Sequence, residues 1–496
     1  MKPAVRHACV LFAFAATTAD TSWSQAAIVT PVSTVSDSVF RSQWVGPQAD
    51  RPELVGMVPT GEGIKPVEDM ATKVREGLWL GSLRIRPGFG AGWAYSDRNS
   101  QGQTTSNANN DQSFFLSPSL GLEYGRDTGP WTISARAGGG YMYYLNPDYS
   151  PNGTGANRNP YNGTMSLGIA HSGLRHAFDL GGSASFGNGQ SVQGGGASTQ
   201  FLGAVGANYS YLINEFLTTG AYASYNSQLN RYESGNIDGS DLATLRGGGY
   251  IDWLWTGKTT LGLKVEAGRM TQDVLGNTTA AGQPAQQGSP TRQFVQALVP
   301  VAHNLTSKVL LVAGAGASFT QDENIPDASS QYTGVRPVYL LGAQYDPSEK
   351  TTMRAYTSFD GFDIVPAYGF SLTWRPRVTT AFTLSAYQNQ NFSITTVDQF
   401  QVNRGFTAGV QQTIFSRFAV GVSGGWQQTE NISLSEDQPD GGDFDYAFVS
   451  GSLRYAINSW ASWQATVMSS TGNRVNPSSS ISFPETTASV GLNLLF

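Results

Sequence analysis

A closed antiparallel transmembrane β-barrel, all-β and of about twenty strands, is the fold this sequence predicts, and three observations predict it. Apolar residues recur at every second position through most of the chain, the period of a strand with one face in each of two environments. The segments that carry this period are joined alternately by short turns and long polar loops, the connection pattern of a barrel that crosses a membrane. Composition agrees: charged residues are 13% of the chain and aromatics 11%, with 58 glycines in 496 residues. Soluble domains hold about 25% charged residues. No stretch after residue 26 reaches the roughly 18 consecutive apolar residues of a membrane-spanning helix. Mean hydropathy is low because alternation dilutes it.

At the start of the chain, Lys2, Arg6 and His7 form a basic segment ahead of the apolar run Ala8 to Ala16. Small residues follow, and the pattern is that of a secretory signal cut after Ala26. Residues 1–26 are therefore expected to be removed. The one cysteine, Cys9, lies within them, so disulfides, thiol catalysis and thiolate metal sites are not expected in the mature chain. Residues 27–78 read as a periplasmic lead-in, with five prolines (Pro31, Pro47, Pro52, Pro59 and Pro66) and a short helical candidate from Val67 to Arg75. About 50 residues are too few for the plug domain of a TonB-dependent transporter, and a linker is the expectation.

From residue 79 to 496 the chain reads as barrel. Alternating segments fall near 82–97, 113–126, 130–146, 161–172, 176–187, 198–213, 216–229, 241–255, 258–273, 290–303, 307–321, 334–345, 350–361, 367–377, 380–392, 399–414, 416–429, 443–457, 459–471 and 485–496. Eighteen strands remain an alternative if one segment is split wrongly. In the ninth segment Leu261, Leu263, Val265 and Ala267 alternate with Gly262, Lys264, Glu266 and Gly268. Charges interleaved with aliphatics in this way suit a wall between lipid and a wet interior better than the core of a sandwich. Short connections such as Asn214–Glu215 and Thr256–Gly257 alternate with long ones such as 97–111, 146–161, 274–289 and 429–442. This alternation requires an even strand count and places both termini in the periplasm of a Gram-negative cell. Pro87, Pro118, Pro300 and Pro337 fall inside segments, where a proline removes a ladder donor.

The last segment alternates to the end of the chain. Val490, Leu492, Leu494 and Phe496 share one face, predicted to meet lipid, with Ser489, Gly491 and Asn493 turned inward. An alternating terminal strand ending in Phe resembles the signal read by the outer-membrane barrel-insertion machinery. Near the other end, Leu83-Arg84-Ile85-Arg86-Pro87 and, further on, Phe114 to Gly125 resemble the opening strands of a family of β-barrel porins of Gram-negative outer membranes. Several members of that family are associated with exopolysaccharide loci. By architecture the likeness covers 79–496; by motif it covers these two strands.

Parity across the segments assigns nine basic residues to the lumen: Arg84, Arg86, Arg136, Arg246, Lys264, Arg336, Arg354, Arg375 and Arg454. Four acidic ones join them: Glu123, Asp252, Glu266 and Asp360. A wall skewed toward positive charge lowers the barrier for anions, and arginine grips carboxylates bidentately. The expected function is passive passage of small, preferentially anionic or sugar-like solutes. Exopolysaccharide export or surface attachment is the alternative, and a structural or adhesive barrel acting through its outer loops a third. Cross-strand pairing would leave the same arginines purely structural. Tyr144, Tyr222, Tyr250, Tyr356 and Phe448 are candidates for lumen-facing rings on which a sugar could slide.

Catalysis is not expected. The histidines beyond residue 26, His171, His176 and His303, all sit near short turns, leaving no base for a Ser/His or Asp/His mechanism near the outer leaflet. His171 and His176 lack a third metal ligand, so neither a metal nor a cofactor is expected. A formal net charge of −6 argues against a nucleic-acid partner. The expected partners are outer-membrane lipid, the insertion machinery and, in transit, small solutes or polysaccharide. The oligomeric state is open.

Overall fold

The computed structural model describes residues 78–98, 110–125, 130–145, 161–190, 197–232, 239–275, 291–323, 332–392, 399–415, 417–433, 443–458, 460–476 and 479–495. The expected signal peptide, nearly all of the expected lead-in (residues 27–77), its helical candidate and Phe496 lie outside them. Within the described residues the regular structure is entirely strand. In order these are β1 (Leu78–Leu80), β2 (Leu83–Arg98), β3 (Asn110–Tyr124), β4 (Trp131–Tyr144), β5 (Tyr161–Ser172), β6 (His176–Gln190) and β7 (Ala197–Asn214). Then come β8 (Leu217–Tyr232), β9 (Gly239–Thr256), β10 (Thr259–Leu275), β11 (Thr291–Thr306), β12 (Val309–Glu323), β13 (Gly334–Ser348) and β14 (Thr351–Phe359). The last are β15 (Ala367–Arg377), β16 (Thr380–Phe392), β17 (Gln399–Ile414), β18 (Phe418–Ser433), β19 (Asp443–Ala456), β20 (Ala461–Asn476) and β21 (Ser479–Leu495).

Each strand from β2 to β21 pairs antiparallel with the next, and β21 returns to β2 from Gly88↔Leu495 to Arg98↔Glu485. The result is a closed antiparallel barrel of twenty strands. Closure satisfies every edge within the wall, as hydrocarbon requires. The short β1 adds to the foot of β2, below the point where β21 begins to pair. No expectation covered that strand.

Burial follows the period of two. On β10 Lys264 and Glu266 are buried while Leu263 and Val265 are half exposed, and on β11 Leu298 is buried while Val299 is half exposed. Aliphatic and aromatic side chains cover the outside, Trp131, Trp253, Trp255, Tyr345 and Trp374 among them near the short-turn end. An outer face this apolar needs lipid around it, and the protein is an outer-membrane β-barrel. On β21 Val490 and Leu492 are exposed and Ser489 is buried.

The short turns are closed by side chains. Asn214, Thr256, Thr306 and Ser348 each accept a backbone N–H from two residues further on, the local bonding that favours such residues at turns.

The four prolines mark irregularities in the ladder. Pro87 stands where β2 passes from β1 to β21, and Pro118 where β3–β4 pairing skips from Leu116 to Ser119. Pro300 lies at the matching break between Leu261 and Lys264 in β10–β11. Pro337 lies beyond the end of β14, whose pairing with β13 starts at Tyr339. In each case the proline stands where the ladder on one side is interrupted or does not yet run.

The wall is not evenly curved. Cα atoms of β11 and β13 approach within 8 Å across β12. Gly316 on β12 permits this, since a Cβ there would lie 1.9 Å from the Ala297 carbonyl oxygen. The lumen-side chains of this corner, Leu298, Leu310, Val312, Val338 and Leu340, pack into an aliphatic cluster. β14 and β15, of 9 and 11 residues, are the shortest strands of the barrel and stop below the long-loop rim. Residues 360–366, which join them, turn into the barrel.

Candidate functional site

Residues 360–366 are the centre of the site. Asp360, Phe362 and Asp363 are buried, Phe362 to 2% exposure. The segment first folds on itself: Asp360 Oδ1 accepts the Phe362 N–H at 2.8 Å, and Asp363 Oδ2 accepts the Asp360 N–H at 2.7 Å. Its remaining backbone groups are met by side chains from the wall. Gln296 of β11 accepts the Gly361 N–H at 3.0 Å, and Thr320 of β12 donates to the Gly361 carbonyl at 3.0 Å. Gln390 of β16 accepts from Ile364 and Val365 at 2.9 and 3.2 Å and donates to Asp363 Oδ1 at 2.6 Å. Arg292 of β11 donates to the Phe362 carbonyl at 3.1 Å while its fork holds Asp322 at 2.6 and 2.7 Å. Arg336 of β13 donates to the Asp363 carbonyl and lies 4.6 Å from the Phe359 ring. Few buried backbone groups go unmet, which is what a segment out of water requires.

Phe362 anchors the segment. It meets Phe294 edge to face at 4.4 Å and joins Met270 and Phe400 in a second apolar cluster. Gly361 has to be glycine in this setting, because a Cβ would lie 2.4 Å from the Phe294 ring. At the start of β17 residues of both parities, Phe400, Gln401, Val402 and Asn403, are buried. The β16–β17 hairpin thus packs around the inturned segment where β14 and β15 fall short.

Beside the phenylalanines lies a buried charge network. Glu266 receives Lys264 at 2.6 Å, the Tyr222 hydroxyl at 2.5 Å and Arg246 at 3.4 Å. Arg246 reaches on to Asp360 at 3.4 Å and stacks 4.4 Å from the Phe362 ring. Two cations thus face two carboxylates, a balance that makes the burial tolerable. Asp363, in the connection rather than in a strand, has its carboxyl raised well above the ordinary range, by burial first and then by the neighbouring Asp360.

The residues assigned to the lumen from parity fall into three groups. Arg246, Lys264, Glu266, Asp360 and Arg336 meet around the inturned segment. Arg84, Arg86 and Arg136 converge on Glu123, at 3.7, 3.1 and 3.4 Å, in a second cluster on β2–β4. Asp252, Arg354, Arg375 and Arg454 join neither cluster; Arg375 is exposed at the short-turn end, its N–H bonded to the Lys350 carbonyl. Asp360 departs from expectation in one respect. It lies in the connection after β14, because β14 ends at Phe359. Sequence reasoning missed Arg292, Phe294, Phe362, Asp363, Gln390 and Phe400. The signal available was two abnormally short segments around Asp360-Gly361-Phe362-Asp363.

No known family model matches the sequence, and no characterised protein matches it in sequence. The fold is similar to the siderophore receptor PirA from Pseudomonas aeruginosa, at 9% identity over 83% of this chain and 80% of that one, with a TM-score of 0.43. It is similar to the FrpB iron transporter from Neisseria meningitidis, at 11% identity over 86% and 83%, with a TM-score of 0.48. The copper transporter OprC shows 11% identity over 85% and 82%, with a TM-score of 0.46.

The expectation of a passive channel for anionic or sugar-like solutes, with polysaccharide export or a structural role behind it, is corrected at this point. These similar barrels are named as receptors and transporters for siderophores, iron and copper, not as porins. Within the barrel itself, the charges taken as an anion path around β9–β13 are bound to carboxylates and to an inturned segment. They are engaged groups, not free charges along an open path.

Proposed function

We propose that this protein is a gated uptake barrel of the outer membrane, in which residues 360–366 close the lumen until a ligand or an energised partner displaces them. The observation that carries the reading is the number of strands that hold the segment. Side chains of β9, β11, β12, β13 and β16 bond it, and Phe400 of β17 packs on it. A barrel meant for free diffusion gains nothing from such a clamp, since an obstacle held by charge-assisted bonds persists in every resting molecule. Short turns facing the periplasm and long loops facing outward complete the reading, with β21 recognised by the insertion machinery. Transport, not catalysis, is the proposed activity.

Liposome swelling tests it. Proteoliposomes of the intact protein should admit small neutral sugars no faster than empty vesicles. A variant with residues 361–365 replaced by two glycines should admit them rapidly. Fast entry through the intact protein would refute gating.

A further inference from the structure

The outside of the barrel carries a feature that gating does not use. The registers of β8 to β12 set two rows across the wall: Ala223–Gly247–Ala267–Val295–Phe319 and, one step nearer the long loops, Tyr225–Leu245–Arg269–Gln293–Gln321. The first row begins with three of the smallest side chains, between the half-exposed Leu245 and Tyr225 on one side and Val295 and Phe319 on the other. A groove of about 530 Å³ results on the lipid side. Its head is polar. Arg269, exposed, stands where the outward residues of β10 change from Leu263, Val265 and Ala267 to Arg269, Thr271 and Asp273.

Arg269 makes no ion pair among the described residues. Arg404, which also points outward from a strand, is matched by Glu430. Nearby carboxylates are otherwise engaged or distant. Glu323 accepts the side-chain amides of Gln293 and Gln321 and stands two strands away from Arg269, roughly 10 Å at the usual strand spacing. Asp273 and Asp241, which face each other across β10 and β9, are two outward positions further along.

We infer that this groove binds a membrane lipid with an anionic phosphate headgroup, its acyl chain lying over Ala223, Gly247 and Ala267 and its phosphate against Arg269. Charge complementarity selects this occupant. A guanidinium without a partner at the edge of an apolar band attracts an anionic headgroup, and the small residues beneath leave room for a chain that a row of larger side chains would exclude.

Native mass spectrometry of the full chain in detergent tests this, with dioleoyl-phosphatidylglycerol, dioleoyl-phosphatidylcholine and inorganic phosphate as separate probes. The intact protein should retain phosphatidylglycerol over phosphatidylcholine, and Arg269→Gln should weaken that retention about fivefold, the effect of one basic residue at a membrane surface. Ala267→Phe, which fills the groove, should reduce retention of both lipids, and phosphate alone should not be held. Arg404→Gln should change nothing. Equal retention of phosphatidylglycerol by the intact protein and Arg269→Gln would overturn the assignment. So would a dimer that Ala267→Phe dissolves without any change in lipid preference, which would give the groove to a second copy of the chain.

Discussion

Two carboxylates inside this barrel, Glu123 and Glu266, are each surrounded by cations, and they differ in water. Glu123 gathers Arg84, Arg86 and Arg136, whose side chains keep between 13% and 34% of their exposure. Glu266 gathers Lys264 and Arg246, at 2% and 6%. Both arise from the same alternating pattern. The difference is the inturned segment, which covers one cluster with Phe362 and leaves the other open. A lumen-facing charge is thus a wall feature or a lock according to what a neighbouring loop does, and pairing energies follow. Losing one member of a fully buried pair costs about 3–5 kcal/mol; the half-buried Glu123 cluster lies between that and the about 0–1 kcal/mol of an exposed pair.

The largest effect is expected from Glu266→Gln or Arg246→Ala, each of which strands buried charge beside the segment. Either should speed hydrogen exchange of the 361–365 amides by the equivalent of about 3–5 kcal/mol, with the barrel still folded by its heat-modified gel mobility. Next is Gln390→Ala, which removes the acceptor of two buried backbone N–H groups. It should loosen the same amides by about 1–3 kcal/mol.

A pH effect should follow in size. The Asp363 carboxyl is raised, so the closed segment favours its protonated form, and closure is strongest in acid. It should weaken as pH climbs through that raised value. The carboxylates and cations packed around it, Asp360, Glu266, Asp322, Arg246, Lys264, Arg292 and Arg336, share the same pocket. The Asp363→Asn variant should therefore lose most of the pH dependence of 361–365 exchange; an unaltered profile would assign the effect to another member. The smallest effect at 361–365 belongs to Glu123→Gln, expected to leave exchange there unchanged, because its three arginines lie on β2–β4 and none of them bonds the inturned segment.

The wall was legible in the sequence because lipid on one side and water on the other impose a period of two, as at Leu263 to Glu266. Twenty strands and their order follow from counting such segments. Parity also brought Arg246, Lys264 and Glu266 to one face, since alternation is a local rule. It could not show that they are dry. That depends on β14 ending at Phe359, and the loss of a few residues from one strand leaves little trace in periodicity. Phe400 and Gln390 were hidden for a related reason. Their parity points away from the lumen, and only the fold of the β16–β17 hairpin around the inturned segment buries them.

Planar-bilayer recording of the intact protein beside Arg246→Ala and Glu123→Gln tests the central claim most directly. The intact barrel and Glu123→Gln should stay closed while Arg246→Ala opens in steps. Steady large conductance from the intact protein, or opening by Glu123→Gln and not by Arg246→Ala, would contradict it.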